Sequence, residues 1–386
     1  MKLIDVCEIN PRQRSISDDT LVSFVAMPDV SEDGKINTSV IRPFSEVKKG
    51  YTVFQEGDIL FAKITPCMEN GKGALAVGLK NGIGVGSTEF HVLRPNPGLV
   101  NEMWVYNLTA WTAFRHEAER HMTGSAGQKR VPKSFLEEYT LSVPSLNTQR
   151  EQVEHLNRVN QIIEARKEQL KKLDELVKAR FVEMFGDCKT NPKGWKTVAL
   201  GEIAEVGSSK RVFVEELKDK GIPFYRGTEV GALAEGKPIQ PELFITDDHY
   251  RELIEATGKP EVGDLLMPSI CPDGRIWVVD TEEPFYFKDG RVLWVHALKH
   301  SFNPVFLLYT LKDRIMTDYG SIASGTTFAE LKIFALKGCR VFDVPLEEQN
   351  RFAEFISQVD KSKLSIQSSL DHLETLKQSM MQKYFG

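Results

Sequence analysis

The chain repeats itself. Residues 150–186 and 350–386 align without a gap at an offset of 200, with Glu154/Glu354, Val159/Val359, Leu170/Leu370, Leu173/Leu373, Leu176/Leu376, Phe185/Phe385 and Gly186/Gly386 identical. Just upstream, Gln149 and Gln349 keep the offset, while Pro144 and Pro345 stand one residue out of it. Self-similarity on this scale means one architecture built twice. A single continuous core is therefore disfavoured, in keeping with a length of 386 residues, at which one core usually splits.

Each repeat reads as a long helix. Leu156, Val159, Ile163, Leu170, Leu173 and Val177 follow the alternating three and four spacing of a heptad seam, interrupted by Arg166. In the second copy Ile356, Val359, Ile366, Leu370 and Leu373 occupy the same seam, with Lys363 where the first has Ile163. Because each polar interruption would face an apolar counterpart position in the other copy, Arg166 the register of Ile366 and Lys363 that of Ile163, the pattern suits two helices packed on each other within one chain. A surface helix on a globular core would carry a similar stripe. Thr148 with Glu151 forms a candidate capping box, and Pro345 followed by Glu347 and Glu348 puts proline and carboxylates in a first turn. At ~1.5 Å per residue, each rod would be roughly 55 Å long.

A globular segment precedes each rod. In the first, "GDILFAKITP" and "TEFHVLRP" predict strands and "MWVYNLTAWTAF" an aromatic helix; in the second, "GDLLMPSI", "GRIWVVD" and "RVLWVHAL" predict strands and "PVFLLYTLKDRIM" the helix. Gly57-Asp58 and Gly263-Asp264 each introduce a hydrophobic strand. The expectation is an α+β chain of two mixed globular domains, 1–147 and 187–345, each followed by a rod, 148–186 and 346–386. Between helix and rod lie two small-residue loops, "TGSAGQKRV" (Thr123–Val131) and "GSIASGTTF" (Gly320–Phe328). Small residues let a backbone approach a ligand, and Gln128, Lys129, Arg130, Thr326 and Thr327 supply donors; an ordinary surface turn uses the same types.

Several chemistries are excluded by spacing. "HEAERH" separates His116 and His121 by five residues, about 140° around a helix, whereas a zinc pair needs i and i+4 on one face. "NGIGVGS" (Asn81–Ser87) does not match a dinucleotide fingerprint and suits a hairpin turn. Gly71-Lys72 is followed by Gly73, so no phosphate-binding loop is completed. Asp29, Asp33 and Lys35 caricature a nuclease cluster but sit in one polar turn, and no Asn-Pro-Pro-aromatic string of an adenine methyltransferase occurs. Two copies of a fold without a catalytic constellation point to a binder, with no metal of its own.

Composition sets outer limits. The net charge of -5 argues against a chain that simply coats nucleic acid, yet the deficit is confined to residues 187–350, with 20 basic against 26 acidic side chains. A local basic face remains compatible with such a sum. Cys7, Cys67, Cys188, Cys271 and Cys339 are far apart and never form a C-x-x-C pair, so reduced, mostly buried thiols are expected. No apolar run approaches the ~20 residues of a membrane span, and "MKLIDVCEINPR" lacks the core of a signal peptide, so a cytoplasmic location is expected.

"TGSAGQKRVPKSFLEEYTLSVPSLNTQREQVEHLNRV", a long helix ending "MFG", and "NPKGWKTVALGEIAEV" restarting the pattern together resemble the specificity subunit of type I restriction-modification systems. The resemblance covers the full length. It departs from the family at "SLNTQRE", where a proline-leucine-glutamate-glutamate-glutamine string is usual, and at "GSIASGTTF", which lacks the Lys-Arg pair. It implies a non-catalytic, sequence-specific reader of double-stranded DNA. Two target recognition domains would be held as a pseudo-twofold internal repeat by two long antiparallel helices forming an intramolecular coiled coil. Each domain would read half of a split, asymmetric site, and the helices would set the spacing. The implied partners are two modification (methyltransferase) subunits and the restriction subunits. S-adenosylmethionine, ATP and Mg would belong to those partners, and this chain would bind no cofactor.

Arg to guanine and Asn or Gln to adenine are the favoured bidentate pairings in a DNA groove. The candidate contacts are therefore Lys63, Asn70, Lys72, Gln128, Lys129 and Arg130 in the first domain. In the second they are Lys210, Arg211, Arg226, Arg275 and Arg291, with Thr326 and Thr327 on phosphates. The rival readings are a fused or solitary methyltransferase or nuclease with unrecognised catalytic residues, and a scaffold that never touches DNA.

Overall fold

The computed structural model describes residues 1–12, 15–125, 127–325 and 329–386; Thr326 and Thr327 lie outside the described residues. The chain divides into two compact units, Met1–Glu168 with Gln367–Gly386, and Gln169–Ile366.

The first unit is built on an antiparallel sheet in which Cys7–Ile9, Phe90–Pro95, Ile59–Ala62 and Gly73–Leu75 lie side by side in that order. The central strand Ile59–Ala62 is apolar along its whole length because both its faces are covered. Ile59, Phe61 and Leu93 point into one core with Trp104, Phe114 and Leu136, while Leu60, Ala62 and Val92 point into another with Val25 and Phe54. This is the two-residue alternation of a strand, used twice. The second core is closed by a further sheet, Ile41–Pro43, Leu21–Val25, Ile83–Gly86 and Thr52–Gln55.

The stretch expected to be a hairpin turn is thus an inner strand of that sheet, Ile83–Gly86. Its glycines serve packing: a Cβ on Gly84 would stand 2.1 Å from the Phe54 ring, and one on Gly86 2.0 Å from the Val25 carbonyl. The aromatic helix also divides. Glu102–Ala110 and Thr112–Arg120 are separated by Trp111, extended at ψ 130°, whose indole is buried against Phe385.

The second unit repeats the sheet in the same order and sense: Glu205–Gly207, Val292–His296, Leu265–Pro268 and Trp277–Val278. Leu265, Met267, Leu293 and Val295 face one core and Leu266, Val292 and Trp294 the other. The Gly-Asp turns match as well. Asp58 and Asp264 each accept the backbone N–H three residues earlier, from Gln55 at 2.7 Å and Glu261 at 2.8 Å. Asp58 is then neutralised by Arg94, whereas Asp264 accepts from the Trp294 indole at 2.8 Å; burial raises the Asp264 pKa.

The rods are the helices Leu146–Phe185 and Leu346–Phe385, 40 residues each. In the first unit His155 Nδ1 lies 3.2 Å from the Tyr384 hydroxyl and Lys167 3.9 Å from Glu374; in the second, Lys363 bonds Asp174 and Phe352 stacks edge-on against Phe181. Numbers rise on one helix as they fall on the other, so the helices run antiparallel. Of the seam residues, Leu156, Val159, Ile163, Val177, Ile356, Val359 and Leu370 are buried, and Leu170, Leu173, Ile366 and Leu373 half-buried.

Antiparallel packing alters one expectation. Lys363 finds its partner in Asp174, a carboxylate of its own unit, rather than in an apolar counterpart. The first helix also starts two residues before Thr148, since Ser145 Oγ accepts the Thr148 N–H at 3.2 Å and so caps the end. All five cysteines are free, and burial raises the pKa of Cys7 and Cys271 to about 12. Among the described residues, no helix is long and apolar enough to cross a membrane.

Candidate nucleic-acid interface

In the first unit, the sequence candidates come together on two neighbouring loops. The segment between the strands Ile59–Ala62 and Gly73–Leu75 carries Lys63, Asn70 and Lys72; the loop Thr123–Val131 carries Gln128, Lys129 and Arg130. Thr123 and Arg130 close the second loop on itself by mutual N–H to carbonyl bonds of 3.0 and 2.8 Å. It is then fastened to the first, the Thr65 N–H donating to Lys129 O at 3.0 Å and the Val131 N–H to Lys63 O at 2.9 Å.

Two buried side chains, neither anticipated, hold this pair of loops. Arg115, 6% exposed, donates to Met68 O at 2.7 Å and lies over the Phe61 ring, its guanidinium 5.0 Å from the centroid. Burial lowers its pKa to about 10, which leaves it charged at neutral pH. His91 Nε2 lies 2.8 Å from Val131 O and Nδ1 3.0 Å from the Asn10 amide nitrogen. The carbonyl requires an Nε2–H donor and the amide an acceptor at Nδ1, which is the neutral tautomer, and burial lowers the His91 pKa in the same sense. Sequence offered no signal for either residue, because only the folded chain places them beneath the loops.

The candidates are not equally available. Gln128, Lys129 and Asn70 are exposed. The Lys72 ammonium donates to Met27 O at 3.2 Å, and Lys63 is half-buried. Arg130 grips Glu89 with two bonds of 2.9 Å; that pairing lowers the Glu89 pKa and raises that of Arg130. Beside the loops opens a cleft of about 750 Å³ whose wall includes His116, Glu119, Arg120 and Lys129. His116 and Arg120 stand one helical turn apart, a spacing that was legible in "HEAER".

In the second unit the corresponding loop forms the strands Ala323–Ser324 and Glu330–Leu331, and the Leu331 N–H donates to Ser269 O at 2.7 Å. The Tyr319 hydroxyl links the two loops, donating to Ala329 O at 2.6 Å and accepting from the Cys271 N–H at 3.3 Å. Every chosen arginine here has a carboxylate beside it: Arg211 has Asp289, Arg226 has Glu229 and Glu242, Arg275 has Asp273, and Arg291 has Glu330. Burial pushes the Glu229 carboxyl up, but hydrogen bonds from Arg226 outweigh it and hold the pKa at about 2. Lys210 is exposed, its backbone N–H bonded to the Tyr286 hydroxyl at 2.9 Å. Among the described residues, no cluster of three or more His, Cys, Asp or Glu could hold a metal.

Comparison with known proteins agrees with this doubled arrangement. The family model described as the type I restriction modification DNA specificity domain matches residues 1–175 and again 192–375. The specificity subunit of the type I restriction enzyme EcoAI of Escherichia coli is 46% identical over 149 residues, 38% of this chain and 25% of that protein. That of EcoEI, also from Escherichia coli, is 45% identical over 144 residues, 37% of this chain and 24% of that protein. The chain thus spans about a quarter of the length of these curated relatives. A chain solved in a study of complex assembly and conformational transition of the type I R-M system superposes with a TM-score of 0.64 at 21% identity, covering 100% of this chain and 96% of that one. That likeness concerns the fold. Because the family model covers both halves, the chain belongs to the type I restriction modification DNA specificity domain family.

Proposed function

We propose that this chain is the DNA-reading specificity subunit of a type I restriction-modification complex, without catalysis of its own. One observation carries the reading: the same scaffold of sheet, helix and polar loop pair is built twice, and the family model matches both copies. Residues 1–147 and 187–345 act as two target recognition domains, each reading one half of a split site. The rods set the number of unread base pairs between the halves; half-sites on one face of B-DNA recur about every 34 Å. They also offer the docking surface for two modification subunits, with restriction subunits joining the assembly. S-adenosylmethionine, ATP and Mg are the business of those partners.

Within the first domain, Gln128, Lys129 and Asn70 are the readers best supported by exposure, with Lys63, Lys72 and Arg130 around them. In the second, Lys210, Arg211, Arg226, Arg275 and Arg291 are the contact set, joined by Thr326 and Thr327. The test is methyl transfer from labelled S-adenosylmethionine to DNA. The purified chain alone is expected to be inert, and the chain with modification subunits active; transfer by the chain alone would establish an enzyme instead. A scaffold that never touches DNA would leave the DNA unprotected even within the complex.

A further inference from the structure

Three backbone relationships superpose the loop anchors of the two units residue by residue. The Lys63 N–H donates to Glu89 O at 2.9 Å, as the Ser269 N–H donates to Arg291 O at 2.8 Å. The Val131 N–H donates to Lys63 O, as the Leu331 N–H donates to Ser269 O. Glu89 stands immediately before the strand Phe90–Pro95, and Arg291 immediately before Val292–His296. Glu89 is therefore the counterpart of Arg291, and Arg130 that of Glu330. Both pairs are bonded, but the charges are exchanged: in the first unit the residue preceding the strand is the carboxylate Glu89 and its partner the guanidinium of Arg130, and in the second the residue preceding the strand is Arg291 and its partner the carboxylate of Glu330.

A guanidinium that contacts phosphate or guanine directly works only as a cation at a fixed place. Position 330 carries a carboxylate, which would repel a phosphate. What the two copies share is the bond, which depends on the product of the charges and is indifferent to which side holds which. Each pair also lies next to the backbone anchors that fasten loop to strand, and Arg130 Nη1 further donates to Gln128 O at 3.0 Å, one residue before Lys129.

We infer that Glu89–Arg130 and Arg291–Glu330 are equivalent latches of opposite polarity, positioning residues that hold each loop for DNA reading while making no contact with DNA themselves. The inference rests on the DNA-reading function proposed above, and it reassigns Arg130 and Arg291 from contact to support.

The test is charge reversal in the reconstituted methyltransferase complex. Glu89→Arg and Arg130→Glu, made singly, appose like charges and are each expected to weaken binding to the cognate site about tenfold. The double exchange reproduces the polarity of the second unit. It is expected to restore binding to within about threefold, with an unchanged dependence of affinity on salt, since coupled neighbours compensate. Lys129→Ala, which removes an exposed cation from the same loop, is expected to lower the salt slope by about 0.9. If the double exchange stays as weak as Arg130→Glu and its salt slope falls by a similar amount, Arg130 touches DNA and the latch is wrong.

Hydrogen exchange of the 123–131 amides in the free chain separates the latch from the DNA reading. Protection lost in each single variant and regained in the double supports the latch even if the wild-type complex binds no specific site, an outcome that would defeat the DNA reading instead. Unaltered protection in all variants overturns the latch.

Discussion

Gln149 and Gln349, two hundred residues apart, make the same three hydrogen bonds. Gln149 Oε1 accepts the Asn101 N–H at 2.8 Å, while its Nε2 donates to Leu99 O at 3.0 Å and Pro144 O at 2.8 Å. Gln349 does likewise with the Asn303 N–H at 2.8 Å, Ser301 O at 3.1 Å and Val344 O at 2.8 Å. Asn101 and Asn303 in turn cap the helices that follow them, accepting from the Trp104 N–H and from the Val305 and Phe306 N–H groups. Each glutamine thus ties the start of a rod to the start of a domain helix.

Both glutamines are fully buried, so truncation strands a donor and two carbonyls without water. Gln149→Ala and Gln349→Ala are each expected to cost about 2–4 kcal/mol, by the penalty for leaving buried polar groups unpaired. Urea unfolding of each variant checks it; a loss under about 0.5 kcal/mol would mean that water replaces the amide.

The matched phenylalanines should differ. Phe185 is fully buried between Phe306 and Phe352, and Phe385 half-buried on Trp104 and Trp111. Phe185→Ala is expected to destabilise by about 3–5 kcal/mol, and Phe385→Ala by less because part of its ring already meets solvent. Thermal melts of the two variants decide it, and equal losses would contradict the packing described.

The rods were legible because a heptad seam and a fixed offset are local, repeated signals. Pro144 and Pro345 marked their starts to within two residues, although Ser145 rather than Thr148 supplies the cap. Strand positions were legible from the apolar runs after Gly57-Asp58 and Gly263-Asp264. The inner strand Ile83–Gly86 was hidden because alternating glycine imitates a turn until Phe54 is seen filling the space above Gly84. Antiparallel pairing of Lys363 with Asp174 was hidden because an alignment compares equal positions, whereas packing opposes unequal ones. The candidate site was legible in its residue types but not in its pairings. Residue type brought Gln128 and Lys129 forward, but the commitment of Arg130 to Glu89 depends on a partner 41 residues away.

His91 gives the first loop a dependence on pH. Burial depresses its pKa below the ordinary value of 6.5, so the folded chain favours the neutral ring that bonds Val131 O. Its contribution to stability is present above pH 6.5 and is lost as pH falls through the lower folded value. An NMR titration of the ring protons is expected to show a midpoint below 6.5, with Val131 amide protection falling in the same range. A midpoint at or above that value would remove the ring from its buried, neutral role.

The central claim, that two recognition domains on one chain read two halves of one site, is tested most directly by mapping methylated bases in DNA modified by the reconstituted complex. The account predicts a single asymmetric sequence in two blocks separated by a fixed number of unspecified base pairs, with one block altered when residues 1–147 are exchanged for a relative's and the other unchanged. One uninterrupted recognition sequence, or both blocks changing together, would contradict it.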